Sequence, residues 1–476
     1  MKWVLRVLGV LVLIGAAAGG YYYHSTLPVL PDERLACHYG AYKFADGSIG
    51  SLTPSSGKQN FRLTMMSGET WFLQPIAGGG DLPTKFSAAR GWTGDITPNA
   101  SIDLGSCGDE KLTLAGDIFP SKSATRLTFE TTDATFESHG LKLFGRLIMP
   151  KGQERVPVAV LVHGSESDSA VLFNRINNLF PANGIGVFVY DKRGTGKSEG
   201  KYSQNFHWLA DDAAAALNKA RELAGARASE VGFQGGSQAG WIEPLAATKT
   251  KADFVLVGFG MAEGTLAEDR EEVFDDLRTA GYGDDVIAKA REITDATGRV
   301  MASHFTSGFE ELDAVKEKYK NEPWFKVIKG EFTGDFLTYP AFVLRIVGPM
   351  FDVGTSWDYE PVPALRAYTG PHLWVLAGRD SSAPSENTLR ILREIQAERH
   401  NLAIVVFPTA DHGILEFEEK NGERVETRFA PGYFDLITEW IKTKKVNVPP
   451  DAAVSYQANS SATDTPPTGD AVMDTP

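Results

Sequence analysis

A serine in a glycine-rich turn, an aspartate and a histidine are the residues whose types and order can do chemistry together. Ser237 stands in Gly235-Gly236-Ser237-Gln238-Ala239, directly after the apolar stretch 231–233. A strand that passes at once into a helix through Gly-x-Ser-x-small pushes the hydroxyl out of the sheet. The small neighbours tolerate the tight turn, and the next backbone N–H points to where an oxyanion develops. Ala239 replaces the usual final glycine and is small enough for close packing. Asp380 follows the apolar run 373–377, and His412 follows 403–407 through Pro408-Thr409-Ala410-Asp411. Serine, acid and histidine, each behind its own strand in that order, predict nucleophilic acyl transfer. His412 takes the Ser237 proton as a neutral imidazole, and Asp380 fixes its tautomer and stabilises the imidazolium. Asp411 and Glu386 rank below Asp380 as the acid, because neither sits directly at a strand exit with the right spacing.

An oxyanion needs a second donor. Leu161-Val162-His163-Gly164-Ser165-Glu166 follows another apolar run, 158–162, and the backbone N–H of Ser165 is the candidate beside that of Gln238. His163 itself reads as structural. The segment from Tyr190 to Ser198 carries two glycines and a Lys-Ser pair, but their spacing does not fit the phosphate loop GxxxxGK[ST]. It reads as a structural loop held by Asp191 and Arg193.

The elements that must place these residues are strands alternating with helices from about position 125 onward. Apolar runs at 141–149, 158–162, 186–190, 231–233, 254–257, 373–377 and 403–407 alternate with helical stretches such as 209–223, 385–399 and 432–442. Continuous apolar runs between amphipathic helices predict a mostly parallel sheet covered on both faces, of class α/β. The interval between the runs at 254 and 373 is about 110 residues, far longer than one connection needs. Its helical stretches 266–279, 284–294 and 309–320 predict a cap inserted at about 261–370, over the strand ends where open α/β sheets bind ligands. The cap aromatics Trp324, Phe325, Phe336, Phe351 and Trp357 either line an apolar acyl site or pack the cap on itself.

Upstream, 31–120 shows short alternating runs between Gly, Ser and Pro clusters, the pattern of a small β-rich domain. Residues 1–23 combine Lys2 and Arg6 with an apolar run and Ala16-Ala17-Ala18, the make-up of a signal peptide or of a membrane anchor with Tyr21-Tyr22-Tyr23 at the interface. Either sends the chain out of the cytoplasm. Residues 448–476, rich in Pro, Thr, Ser, Asp and Ala, read as a disordered tail.

Of the 476 residues 42% are hydrophobic and 23% charged, with a net charge of -14, which fits a globular chain and not a nucleic-acid binder. The only cysteines are Cys37 and Cys107. In an exported protein they pair, contributing ~4 kcal/mol by chain entropy, or they stay as two buried thiols. Two cysteines with no HExxH or His-x-Glu pattern make no zinc site. Neither a metal nor another cofactor is expected.

The segments HGSES, YDKRGTGKSEG, GGSQAGWIEPLAA, DYEPVPALR, AGRDSS and ADHG resemble the bacterial α/β-hydrolases related to prolyl-oligopeptidase-like and serine-aminopeptidase-like esterases. The resemblance covers about 125–445 and implies the α/β-hydrolase fold and an esterase-like activity without a cofactor. Exported members are frequent in that group. Ala239 and the acidic Glu166 and Glu243 depart from its pattern and leave substrate polarity open. The expected activity is a serine hydrolase acting on carboxylic esters. The alternatives are a peptidase for short peptides, with Glu243, Glu263 or Glu268 binding an amine, and a binding protein that keeps the fold without catalysis.

Overall fold

The strand β11 (Val156–Val162) explains why apolar runs without alternation lie at the centre of this chain. Val158, Val160 and Val162 join a core with Leu209, Leu217, Trp241 and Leu392, whereas Ala159 and Leu161 join a second core with Leu179, Phe180, Ile437 and Trp440. The first set of partners lies on the helices Phe206–Ala224, Ala239–Ala247 and Glu386–Glu398. The second lies on Ile176–Ala182 and Tyr433–Thr443. A strand with helices on both faces must be apolar at every position. The computed structural model describes residues 30–76, 81–92, 98–116, 119, 122–448 and 453–456.

Nine strands form this sheet in the order β19-β16-β15-β14-β13-β11-β12-β10-β9. β9 (Glu130–Ser138), β10 (Leu141–Met149) and β12 (Gly186–Tyr190) pair antiparallel at one edge. From β12 through β11, β13 (Ala228–Gly236), β14 (Val255–Gly258), β15 (His372–Ala377) and β16 (Leu402–Phe407) all pairing is parallel. The chain order reverses around β11, so β11, β13, β15 and β16 end on one rim, the place where open sheets assemble sites. β19 (Val454–Tyr456) pairs antiparallel with β16 at the far edge. This corrects the reading of 448–476 as uniformly disordered: Tyr456 buries its ring in the first core. The stretch 1–23, read as signal peptide or anchor, lies outside the described residues. Among those described, no helix is long and apolar enough to cross a membrane.

The β-rich leader is a closed eight-stranded barrel running from β1 (Gly40–Phe44) to β8 (Ser123–Arg126). Closure comes from β8 pairing with β1, so the barrel extends past the expected end at 120 and takes Thr125 with it. Phe61, Leu63, Trp71, Leu73, Phe86 and Leu114 fill its interior. Cys37 and Cys107 are disulfide-bonded, tying the short helix Glu33–His38 to the turn that follows β6 (Ala100–Asp103).

Between β14 and β15 the chain forms the cap. Thr265–Thr279, Asp284–Ala302 and Phe309–Tyr319 are its long helices. Two apolar clusters of its own hold it together. Trp324 and Phe325 pack into one, Phe336 and Trp357 into the other. These aromatics therefore build the cap core, while Phe351 stands exposed with Phe342, Ile346 and Met350 on the helix Ala341–Phe351.

The loop after β12 is held as its charges suggest. Asp191 accepts from Ser169 Oγ at 2.7 Å and from the Lys197 N–H at 2.9 Å. Arg193 makes two hydrogen bonds to Asp212, of 2.8 and 2.7 Å, with the carboxylate wholly buried. Removing one member of such a pair leaves the other charge stranded, at about 3–5 kcal/mol. Arg193→Met is expected to destabilise the fold by that amount, whereas Arg146→Met, at an exposed pair with Asp133, costs about 1 kcal/mol or less. Urea denaturation of the two variants checks the difference.

Candidate active site

Ser237 sits at the exit of β13 with φ 55°, in the left-handed region that a side chain seldom adopts. Its own N–H is anchored to the Gly258 carbonyl at the end of β14, at 3.0 Å. The turn fits only because the residues before it lack side chains. A Cβ on Gly235 would stand 1.9 Å from the Val162 carbonyl oxygen, and one on Gly236 would run into the Phe259 ring at 2.2 Å. Ala239 is fully buried and opens the helix Ala239–Ala247, so the alanine is accommodated at the position where glycine was the expectation.

The structure brings the three sequence-predicted residues together. His412 Nε2 lies 3.2 Å from Ser237 Oγ. On the other side of the ring, Nδ1 lies 3.0 and 3.1 Å from the two Asp380 carboxylate oxygens. Asp380 is buried and also accepts the N–H groups of Ser382 and Ala383 at 3.1 and 2.7 Å. Phe259 meets the imidazole edge-on, with ring centres 5.0 Å apart. Burial pulls the imidazole pKa down, but the Asp380 hydrogen bond and the charges of Asp380, Glu268 and Asp411 outweigh it, so His412 ends above its ordinary value.

Asp411 has a different place from the one considered for it. It does not meet the imidazole. It accepts the Ser381 N–H, the Ser381 hydroxyl, the His412 N–H and the Arg424 guanidinium at 2.7–3.0 Å, and so ties the Asp380 loop to the His412 loop. Arg424 belongs to β18 (Glu423–Phe429), which pairs with β17 (Leu415–Lys420) in a hairpin directly after His412. The sequence reading passed over this hairpin, because charged residues fill most of its positions and only its ends, Leu415 and Phe429, are buried. It leans on the barrel: the Trp92 N–H bonds the Glu426 carbonyl at 3.3 Å, and Phe429 N–H bonds that of Gly68 at 3.0 Å.

The backbone N–H groups of Gln238 and Ser165 donate to no described residue. The Ser165 carbonyl is held by the Tyr202 hydroxyl. The Gly164 carbonyl is held by Lys192 Nζ at 2.5 Å. Burial lowers this lysine to about 8. Lys192 was missed in the sequence, where it read as part of a structural loop; a lysine flanked by Asp191 and Arg193 gives no outward sign that it reaches the neighbouring strand end. His163 is sealed in and kept neutral by burial, with Lys192 pushing the same way. Its ring packs edge-on near Tyr190.

Of the carboxylates considered for an amine, Glu243 is completely buried on the helix behind Ser237 and cannot meet a ligand in the cleft. Glu263 is paired with Arg270 at 3.3 Å. Glu268, on the cap helix Thr265–Thr279, lies within electrostatic reach of His412 and Asp380. A cavity of about 590 Å3 opens at the root of the cap, lined by Leu266, Arg270, Arg299 and Trp357 among others, and no member of the Ser237 group lines it.

Residues 153–258 match the family model described as serine aminopeptidase, S33. An uncharacterised 31.7 kDa protein of Escherichia coli from the traX–finO intergenic region is 24% identical over 251 residues, covering 52% of this chain and 80% of that protein. Among solved structures, an esterase of Pyrococcus furiosus is 14% identical with a TM-score of 0.37, covering 60% of this chain and 84% of its own. The Butyrivibrio proteoclasticus protein Est1E, bound to ferulic acid, is 18% identical with a TM-score of 0.36, covering 65% and 96%. The Pyrococcus horikoshii acylaminoacyl peptidase is 15% identical with a TM-score of 0.38, covering 79% of this chain and 52% of its own. The matched segment 153–258 runs from β11 through the Ser237 turn to the end of β14.

Proposed function

We propose that the protein is a serine hydrolase cleaving carboxylic esters through an acyl-enzyme, with Ser237 as nucleophile, His412 as general base and Asp380 as the acid that orients it. The observation that carries this reading is the single imidazole bridging the Ser237 hydroxyl and the Asp380 carboxylate. His412 Nε2 accepts the Ser237 proton as Oγ attacks the ester carbonyl. The Gln238 and Ser165 N–H groups receive the oxyanion, and His412 returns the proton to the departing alcohol. Water then attacks the acyl-enzyme by the same route and releases the acid. No metal or other cofactor enters these steps. The disulfide between Cys37 and Cys107 supports an exported location, with membrane attachment through residues 1–23 as one form of it.

A peptidase is the second reading, and one observation favours it. Glu268 and Glu272 lie in mutual electrostatic reach and share the neighbourhood of Glu331. Burial, with the acids around them, pushes Glu268 up to about 8 and Glu272 up to about 10. Arg270 on the same helix is occupied by Glu263 and Glu271. An ammonium group entering beside them would draw off their protons and gain a paired charge in a desolvated place.

Ser237→Ala is expected to lower kcat on short p-nitrophenyl esters by about ten-thousand-fold or more, and to abolish fluorophosphonate labelling of the chain. Full ester turnover by this variant would sink the proposal. Since the base must be neutral, kcat/KM on an uncharged ester is expected to be lost as pH falls through a midpoint above 6.5, the ordinary histidine value, because His412 is raised. A pH–rate profile checks both the sign and the position. For the second reading, the ratio of aminoacyl-naphthylamide to neutral-ester kcat/KM is the measurement. It should exceed one in the natural protein and fall about ten-fold in Glu268→Gln, by loss of a desolvated charge contact. A ratio below one that Glu268→Gln leaves alone returns the choice to the esterase.

A further inference from the structure

Two arginines meet where the barrel joins the hydrolase sheet, and neither has a carboxylate in ion-pair contact among the described residues. Arg62, on β3 (Phe61–Met65) of the barrel, lays its guanidinium 4.0 Å from the centre of the Trp92 ring. Arg175, just before the helix Ile176–Ala182, lies over the same indole at 5.1 Å and over Phe429 at 4.6 Å. Arg62 Nη2 bonds Ser55 Oγ at 3.3 Å, while its buried Nη1 has no partner. Arg175 donates no side-chain hydrogen bond to a described residue. Stacking uses the faces of the two guanidinium planes and leaves N–H groups on their edges, Arg62 Nη1 among them, for the recognition of an oxyanion.

The arrangement is costly without a ligand. Burial holds Arg62 down at about 9 and Arg175 down at about 10, and Arg175 adds its repulsion to Arg62. Two carboxylates stand in electrostatic reach, Glu426 of Arg62 and Glu166 of Arg175, along with the Tyr433 phenol. None of these closes to a contact. The same neighbours link the pair electrostatically to the Ser237 group. Glu426 also feels His412 and Asp411, and Glu166 directly follows Ser165.

We propose that Arg62 and Arg175, backed by Trp92 and Phe429, form an anion subsite that takes a carboxylate carried by the substrate, so that the barrel sets part of the specificity. This inference deepens the esterase reading and rests on it for the link to turnover. The test uses two matched pairs of esters. Phenyl acetate against 3-acetoxybenzoate places the carboxylate on the leaving group. Methyl p-nitrophenyl succinate against mono-p-nitrophenyl succinate places it on the acyl group. The natural protein is expected to prefer the carboxylate in one pair by about ten-fold or more in kcat/KM, the scale of a charge-assisted, two-pronged contact. Arg62→Gln and Arg175→Gln are each expected to cut that preference to about three-fold or less. Because the preference is a ratio measured on one enzyme, a general loss of activity cancels from it.

Turnover of the neutral esters with no preference in either pair overturns the subsite and leaves the esterase reading standing. A preference that survives both substitutions overturns it as well. Should an arginine-to-glutamine variant fail to fold, Arg175→Lys takes its place. Lysine keeps the charge but loses the paired donors, so it should show a reduced preference, and an unchanged one counts against the proposal. If no ester is turned over and Ser237 is not labelled, it is the esterase reading that has failed. Calorimetric titration of the full chain with benzoate and with inorganic phosphate then decides the subsite alone. Benzoate binding that disappears in Arg62→Gln/Arg175→Gln supports it. Absence of benzoate binding, or binding of phosphate only, overturns it.

Discussion

The backbone at Ser237 is the constraint on which the rest of the site depends. A non-glycine residue in the left-handed region costs of order 1–2 kcal/mol and persists only where its surroundings leave no alternative. Here they leave none. β11 crowds Gly235 so closely that its Val162 carbonyl would clash with any Cβ, and β14 holds the Ser237 N–H through Gly258. The helix Ala239–Ala247 begins two residues later and buries Trp241 and Ile242 in the core. Three elements, all among the most deeply buried in the molecule, thus fix one dihedral. The strain is offset by packing at a distance from the serine, and the hydroxyl gains a fixed direction from it.

His412 is positioned by a different route. It lies on a loop, not on a strand, so its place must be set by hydrogen bonds. Asp411 supplies them, accepting from the Asp380 loop, from the His412 backbone and from Arg424 at once. Arg424 is carried by the β17–β18 hairpin, and that hairpin bonds the barrel through Trp92, Gly68 and the Arg428–Glu69 pair at 2.9 Å. Asn178, on the helix after Arg175, reaches Ser51 of the barrel at 2.8 Å. A barrel with no catalytic group of its own is therefore continuous, through one hairpin, with the loop that carries the imidazole. This gives the leader domain a physical role that its sequence did not suggest.

What was legible from sequence follows the burial. β10 and β12 have the limits that their apolar runs indicate, and β11, β15 and β16 each extend theirs by one or two residues, because strands covered on both faces announce themselves. Ser237, Asp380 and His412 were legible because each sits at the exit of such a strand. β9 was not: in Glu130–Ser138 only Phe136 and Ser138 are buried, so an edge strand of mostly polar residues looks like a loop. The strand Ser123–Arg126 was hidden because its partner β1 lies some 80 residues earlier, and β19 because its partner β16 lies about 50 residues back. The cap was found by its length alone. Its aromatics carried two readings that composition could not separate, since a core packed within the cap and a substrate pocket need the same residue types.

Charge placement underlies the proposal that the substrate carries a charge. Burying an ionisable group without a partner costs several kcal/mol unless the group changes its protonation state. A chain shaped by stability alone would pair such groups, as this one does with Arg193 and Asp212. Glu243 is the instructive contrast. It is buried with both carboxyl oxygens unpartnered, burial drives it well above the usual carboxylate range, and protonation is its resolution because no ligand can reach it. Glu268 and Glu272 on the cap, and Arg62 and Arg175 at the barrel seam, are desolvated only in part, and Glu268 lies in electrostatic reach of His412, Arg62 of Glu426 and Arg175 of Glu166. For them a charged ligand is a resolution that Glu243 lacks. The proposed selectivity for a charged substrate rests on these acids of the cap and these arginines of the barrel seam, with the apolar cap core serving as scaffold.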